Sequence, residues 1–444
     1  MSSDRQLPLD DAIDLTLSAC RTAGVAAVIT AQRIDRWNVV VRDGKADQVQ
    51  SNTSQSIQVT TWAAGGRQGQ TSSTDLSAAA VSEATSTALA LTTVADPDPW
   101  AGPAPAAECG PTIVDLAVDD PHWPDFTPEH GIAMAIASEA AARAVDPRVR
   151  FTEGCETSAR RQLWQLANTA GVRVARRETS ASSHVVVVGV DGDEKQMSYE
   201  VTSARHWRDL RPAAEFGAKA GRKVAAKFGW RKAPSGPAPV VLDPKTASAF
   251  LAILAASLAG GGIFRKRNWC AGQINQQIAS PLVTVTDDPL LVRGPGSRAC
   301  DNDGVRSRCA NVIDAGRLTT YLVDGYAARR LDHPYTGHSG GTTNFRLRPG
   351  TARQDDLLRE MGRGLLVTDF NGWGVDLTSG TFSRGAGGFW IENGRISYPV
   401  QEITIAGKLA DLWKGIRLVA NDANLEQATS SPSALIDGFT IGGG

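Results

Sequence analysis

The chain has 444 residues, with 46 Lys+Arg against 47 Asp+Glu and a formal net charge of −1. At about 150 residues per domain, that length predicts two or three domains with enough core to fold without disulfide or metal staples. The charge balance excludes a general field for nucleic acid or acidic membrane, and 42% hydrophobic with 21% charged residues is neither a disordered nor a fibrous composition.

Residues 9–23 place Ile13, Leu15, Leu17 and Cys20 at helical spacing, and Gly24 ends the pattern as a C-cap. From Ala26 the period falls to about two. Segments 28–30, 37–41, 49–51 and 56–62 read as short strands, with Asp43-Gly44 as a hairpin turn and Gly65-Gly66 as another turn. Asp75 is the expected cap of an Ala-rich helix that runs to about Leu91. Residues 96–111 are crowded with Pro, Gly and Ala and form a connector. Thr127 and Pro128 open a helix to about Val145. Strand patterns follow at 150–153, 161–166, 172–177, 184–190 and 197–201, and an amphipathic helix at about 212–228.

A second connector, 230–239, leads to a strand at 239–242, an Ala/Leu-rich helix at 245–258 and a glycine stretch at 260–262. Short strands are expected at 282–286, 318–323, 343–347, 364–367, 389–392 and 395–399. The expected fold class is therefore α+β in two parts. Residues 1–230 make sheets with packed helices, and residues 239–444 are mainly antiparallel β, barrel- or sandwich-like.

The cysteines, Cys20, Cys109, Cys155, Cys270, Cys300 and Cys309, form no CxxC pair, which suits free thiols in a reducing compartment. The apolar run 247–262 is too short to cross a bilayer core of about 30 Å. Residues 1–11 lack the basic-then-apolar profile of a signal peptide. A cytoplasmic protein without membrane or nucleic-acid partners is expected.

Spacing removes several sites. A zinc-protease helix needs two histidines at i and i+4 with Glu beside the first, and none of the six histidines is so paired. His333 and His338 are five apart across Pro334 and Gly337; as loop ligands they would need Cys300, Asp301, Asp303 or Cys309 beside them, and ordinary hydrogen bonding is the preferred reading. Asp301 to Gly304 begins like a calcium loop, but its twelfth position is Val312 rather than Glu. Gly337-His338-Ser339-Gly340-Gly341 matches G-x-S-x-G, yet no histidine follows His338, so the α/β-hydrolase order fails. A protease order of His, Asp, then Ser leaves Ser339 as an alternative nucleophile. Gly294-Pro295-Gly296 lacks the helix a dinucleotide loop requires, and the 11 Trp lack the basic interleaving of a nucleic-acid platform.

The glycine-dense block 378–394 remains. It reads either as a loop bringing backbone amides to a peptide or partner, or as a tight barrel corner, followed by a hairpin at Asn393-Gly394.

Residues 381–386 (TFSRGA), 388–394 (GFWIENG), 398–400 (YPV) and 402–407 (EITIAG), with Asn421-Asp422 after them, resemble the C-terminal signature of the TldD/PmbA family (peptidase U62 type). Further pieces match in order: 240–244 (VVLDP), 287–289 (DDP), 303–305 (DGV), Thr336-Gly337, Thr343-Asn344 and 363–368 (RGLLVT), with 72–77 and Asp96-Pro97 nearer the N-terminus. In that family TldD-type subunits carry an HExxxH zinc motif and a later Cys ligand, and PmbA (TldE)-type subunits lack both. Here residues 243–250 read DPKTASAF, and no Cys follows Cys309.

The resemblance thus implies a metal-free, TldE-like subunit, with no catalytic or metal-binding residue of its own. Catalytic zinc would sit on a TldD-like partner in a heterodimeric metallopeptidase acting on unfolded or modified peptides, including peptide natural-product precursors. Its implied peptide contacts are Ser383, Arg384, Gly385, Gly387 and Gly388, with His338 added from an insert that no family signature covers. The alternatives are a non-catalytic binding or scaffold homodimer of the same fold, and the serine hydrolase using Ser339.

Overall fold

The computed structural model describes residues 5–443, so the first four residues of the 1–11 stretch lie outside the described residues, as does Gly444. Helix α1 (Leu9–Thr22) buries Ile13, Leu17 and Cys20, and Gly24 turns the chain beyond it at φ 67°. The period-two segments join into two long strands, β1 (Ala26–Arg42) and β2 (Lys45–Ala63). Their ladder runs on through polar stretches such as Ile34↔Ser54 and Arg36↔Asn52, because main-chain pairing needs no buried side chain. Asp43 (φ 48°) and Gly44 (φ 71°) turn this hairpin as expected.

After β3 (Arg67–Ser73) comes α2 (Ala78–Val94). Its cap is Ser77, whose side chain accepts from the Ala80 N–H, not Asp75. Asp75 accepts instead from Ser77 N–H and from Gln6 Nε2, one step upstream of the helix. Helix α3 (Pro128–Arg143) precedes β4 (Val149–Asn168), β5 (Arg173–Asp191) and β6 (Glu194–Ala204), again longer than the apolar segments that announce them, and α4 (Ala213–Ala225) closes this half. The six strands form one antiparallel sheet ordered β3-β2-β1-β4-β5-β6, so β3 and β6 are its edges. α1 and α2 pack on it over Ile29, Ile57 and Val59, and α3 and α4 over Val41, Val185 and Val187.

β7 (Gly236–Leu242) then leads into α5 (Pro244–Ser257), which Asp243 caps through Thr246 N–H at 2.8 Å. The glycine stretch at 260–262 opens a short helix, α6 (Gly260–Phe264), rather than a turn. Next come β8 (Val285–Asp287), β9 (Ala310–Asp314), β10 (Arg317–Leu318), α7 (Gly325–Leu331) and β11 (Phe345–Leu347). The expected strand at 318–323 keeps only its first residue in the ladder, and that at 343–347 starts at Phe345.

The chain continues through α8 (Gln354–Met361), β12 (Gly364–Asn371), β13 (Val375–Asp376), β14 (Thr381–Glu392), β15 (Arg395–Lys408), α9 (Leu409–Lys414), β16 (Ile416–Val419), β17 (Thr429–Ser430) and β18 (Ala434–Gly442). β12 pairs β7, β7 pairs β18, β18 pairs β15, β15 pairs β14, and β14 returns to β12. That is a closed five-stranded barrel, which leaves these strands no free edge between them. A second five-stranded sheet runs β10-β9-β8-β11-β17. α5 inserts Phe250, Leu251 and Leu254 into the core between them, with Phe250 stacked on Trp413 at 4.6 Å. The fold is α+β with a β-barrel in its C-terminal half.

Candidate functional site

The edge strand β6 and helix α4 face the barrel across a cleft made of adjoining cavities of about 250, 310 and 340 Å³. Lys195 to Tyr199 form one wall, and Thr368 to Asn371 of β12 with Gly387 to Phe389 of β14 form the other. Polar bridges fix the walls. Lys227 and Lys245 hold the two oxygens of Asp369 at 2.9 and 2.8 Å, and Gln401 donates to Gln196 at 2.6 Å. Desolvation works against ionised Asp369, but Lys227 and Lys245 outweigh it and keep its carboxyl below the usual range. Glu200 is balanced the same way, with burial opposed by Lys223 and Lys219.

One strand edge is open here. Among the described residues, β6 is paired only to β5. The Met197 carbonyl accepts from Lys227 Nζ at 3.0 Å, and the Val201 carbonyl accepts from Arg211. In a strand the N–H and C=O of one residue point the same way and alternate along the chain, so Met197, Tyr199 and Val201 all turn their main-chain groups away from β5. Tyr199, with Lys245 Nζ 4.2 Å from its ring centroid, therefore presents an N–H and a C=O to the cleft.

The block 378–394 is no loop. Residues Thr381–Glu392 form β14, paired on both sides, and Asn393 (φ 51°) and Gly394 (φ 71°) turn the expected hairpin to β15. The glycines are there because the barrel is tight: a Cβ on Gly388 would sit 1.9 Å from the Leu366 carbonyl oxygen of β12. Register breaks beside Thr368 in β12 and Gly387 in β14 fall at the cleft wall, where bulges bend the barrel.

Of the residues expected to touch peptide, Gly387 and Gly388 line the cleft. Gly385 pairs with Asn371 and Thr404 inside the ladder. Ser383 N–H donates to the Gly374 carbonyl, and Arg384 donates to the Gly372 carbonyl at 3.0 Å while lying over Phe370. His338 stands apart from all of these: it is buried, with Nε2 2.9 Å from Asp287 Oδ2 and Nδ1 2.9 Å from Thr336 Oγ1. Ser339 donates its hydroxyl to Asp303 at 2.8 Å, so a carboxylate rather than an imidazole holds it. His333 contacts the Pro334 carbonyl and Thr320. Among the described residues, no group of three or more His, Cys, Asp and Glu is arranged to hold a metal ion.

The cleft's charged residues, Lys219, Lys223, Lys227, Lys245, Glu200 and Asp369, were not singled out from the sequence. The available signal was the basic spacing of Lys219, Arg222 and Lys223 on an amphipathic helix.

Signatures described as the PmbA/TldA metallopeptidase C-terminal domain, central domain and domain 1 match residues 235–443, 121–228 and 27–92. Metalloprotease PmbA of Escherichia coli O157:H7 is 32% identical over 98% of this chain and 96% of its own length. This chain belongs to the PmbA/TldD family. The Haemophilus influenzae PmbA homologue is 30% identical with the same coverage of each chain. A TldD homologue of that organism, also called a metalloprotease, is 26% identical over 72% of this chain and 73% of its own. Among solved structures, a Bacteroides thetaiotaomicron protein described as a candidate modulator of DNA gyrase superposes with a TM-score of 0.91 at 26% identity, covering 98% of each chain. TldE of Thermococcus kodakarensis shares the fold with a TM-score of 0.86 at 19% identity, covering 97% of this chain and 100% of its own.

The residues after β7, where the family resemblance would place an HExxxH motif, form α5. α5, the helix after β7, carries no His, Cys, Asp or Glu along its length. Its hydroxyls bond locally, Thr246 donating to Asp243, Ser248 to the Pro244 carbonyl and Ser257 to the Ile253 carbonyl, and its Lys245 pairs with Asp369. Catalytic zinc takes three such ligands from its protein.

Desolvation at the floor of the cleft pushes the Asp243 carboxyl up to about 6, against the pull of Thr246, Lys223 and Lys245. A carboxyl raised above its unfolded value contributes stability below about pH 4 and loses it as pH rises through about 6. Asp243→Asn keeps the cap acceptor and removes the charge. Relative to the parent, its melting temperature is expected to gain progressively from pH 4 to 7, by the equivalent of roughly 3 kcal/mol at most. A pH-independent difference between the two proteins would refute this.

Proposed function

We propose that this chain is the metal-free, TldE-like subunit of a two-component metallopeptidase whose zinc lies on a TldD-type partner, and that extended peptides enter along the β6 edge. The observation carrying the reading is α5: the element after β7, where TldD-type members bear HExxxH, supplies no ligand at all. The N–H and C=O that Tyr199 of β6 turns to the cleft support the peptide half of the reading, since an extended chain adds to a strand edge through main-chain bonds and so needs no fixed sequence. Gly387 and Gly388 add no side chain to the opposite wall at their positions. Unfolded or modified peptides, natural-product precursors included, suit such backbone recognition. A reducing, cytoplasmic setting suits the six free cysteines.

Co-expression with a TldD-type homologue tests the reading. The pair is expected to co-purify at equal stoichiometry, to hold zinc on the partner and to hydrolyse an unfolded peptide, while this chain alone holds no zinc and hydrolyses none. A stable homodimer that ignores the homologue would return the scaffold reading. Tightly bound zinc on the isolated chain would overturn the metal-free assignment.

A further inference from the structure

The cleft is electrically lopsided although the whole chain carries −1. α4 buries Phe216, Ala220 and Val224 against the sheet and turns Lys219, Arg222 and Lys223 to the cavity, and Lys227 follows one turn later. The i, i+3, i+4 spacing puts these cations on one face. Glu200 takes Lys219 at 3.0 Å and Lys223 at 2.5 Å, and also Arg211 at 3.1 Å. Asp369 takes Lys227 and Lys245. Glu200 and Asp369 thus answer four lysines between them, while Arg211 is shared with Glu426 at 2.7 Å. Arg222 is exposed, and its side chain has no ion-pair or hydrogen-bond partner among the described residues. Asp243, the other acid of that cavity, is held by Thr246 at the helix cap.

We propose that this cationic face selects peptides bearing a carboxylate, either an Asp or Glu side chain or a free C-terminus, placed against Arg222 while the chain lies along β6. The inference rests on the reading above that extended peptides enter this cleft, and it names their chemical class. Main-chain pairing supplies the generic grip, and the unanswered guanidinium supplies the bidentate donors a carboxylate accepts.

Fluorescence anisotropy on the full chain and on its co-purified complex tests it with one labelled unstructured peptide in three forms. The first bears Glu and an amidated C-terminus, the second Gln and a free C-terminus, and the third Gln and an amide. At about 50 mM salt at least one carboxylate form is expected to bind about tenfold tighter than the neutral form, and the advantage shrinks at about 500 mM. Whichever form gains identifies the source of the carboxylate. Arg222→Glu removes the advantage, and Arg222→Lys retains part of it. Equal affinity for all three forms, a preference that survives Arg222→Glu, or no binding by any form overturns the proposal. Sedimentation of the same samples reports complex formation separately, so failure of the two-subunit reading is distinguishable from failure of charge selection.

Discussion

Gly388→Ala is expected to destabilise the protein by more than about 3 kcal/mol, as a loss of soluble yield and a melting temperature lower by roughly 6 °C or more. The added methyl would sit 1.9 Å from the Leu366 carbonyl oxygen and 2.9 Å from its carbon, both backbone atoms of β12. Backbone cannot swing aside as a flexible side chain can, and this contact lies where β14 meets β12, the pairing that closes the barrel. Opening it would expose the edges of two strands and the core behind Leu365 and Val367. Gly387→Ala is the matched control. Its methyl would first meet the Val400 carbonyl oxygen at 3.4 Å, a distance of ordinary contact, so a shift of only a few degrees is expected. Thermal unfolding of both variants checks the contrast, and equal melting temperatures would show that the glycine density of β14 is not set by barrel closure.

That strand also shows what the sequence makes legible. α5 is readable because Asp243 and Pro244 are good first residues for a helix and Phe250, Leu251 and Leu254 recur on its buried face. The Asn393-Gly394 turn is readable because both positions need positive φ. β14 is readable as a strand only at 389–392, since Gly385, Gly387 and Gly388 before it carry no side-chain pattern; their reason lies in β12, some twenty residues away in sequence, against which they close. Long strands are under-read for a related cause. The polar middle of β1 and β2 belongs to a ladder whose hydrogen bonds leave no mark on side-chain periodicity. The cleft is hidden for a third reason. Lys245 and Asp369 are 124 positions apart and meet only because β7 pairs β12, and the docking of α4 and β6 onto the barrel then brings Lys227 to the same carboxylate. The composition of α5 is legible too: it carries no His, Cys, Asp or Glu at any register.

Asp287→Ala is expected to cost about 3–5 kcal/mol, because it strips both partners of a buried charge and hydrogen-bond centre. Asp287 is 1% exposed and accepts from Thr343 N–H at 2.9 Å while its Oδ2 meets His338 Nε2. Removing it leaves an imidazole and an amide without acceptors inside the protein, at the join between β8 and the turn that carries Ser339. Asp287→Asn, which keeps an oxygen for Thr343, should cost clearly less. The same turn decides the serine-hydrolase alternative. Both nitrogens of His338 are engaged, by Asp287 and Thr336, so neither is turned to the Ser339 hydroxyl, which instead donates to Asp303. The Ser339 hydroxyl therefore lacks the imidazole contact that a His, Asp, Ser protease arrangement requires. Ser339→Ala should therefore cost only about 1 kcal/mol, and leave peptide hydrolysis by the proposed two-subunit complex unchanged. Labelling of Ser339 by a fluorophosphonate, or loss of hydrolysis in Ser339→Ala without loss of fold, would reverse that assignment and make the turn a catalytic element rather than a structural one.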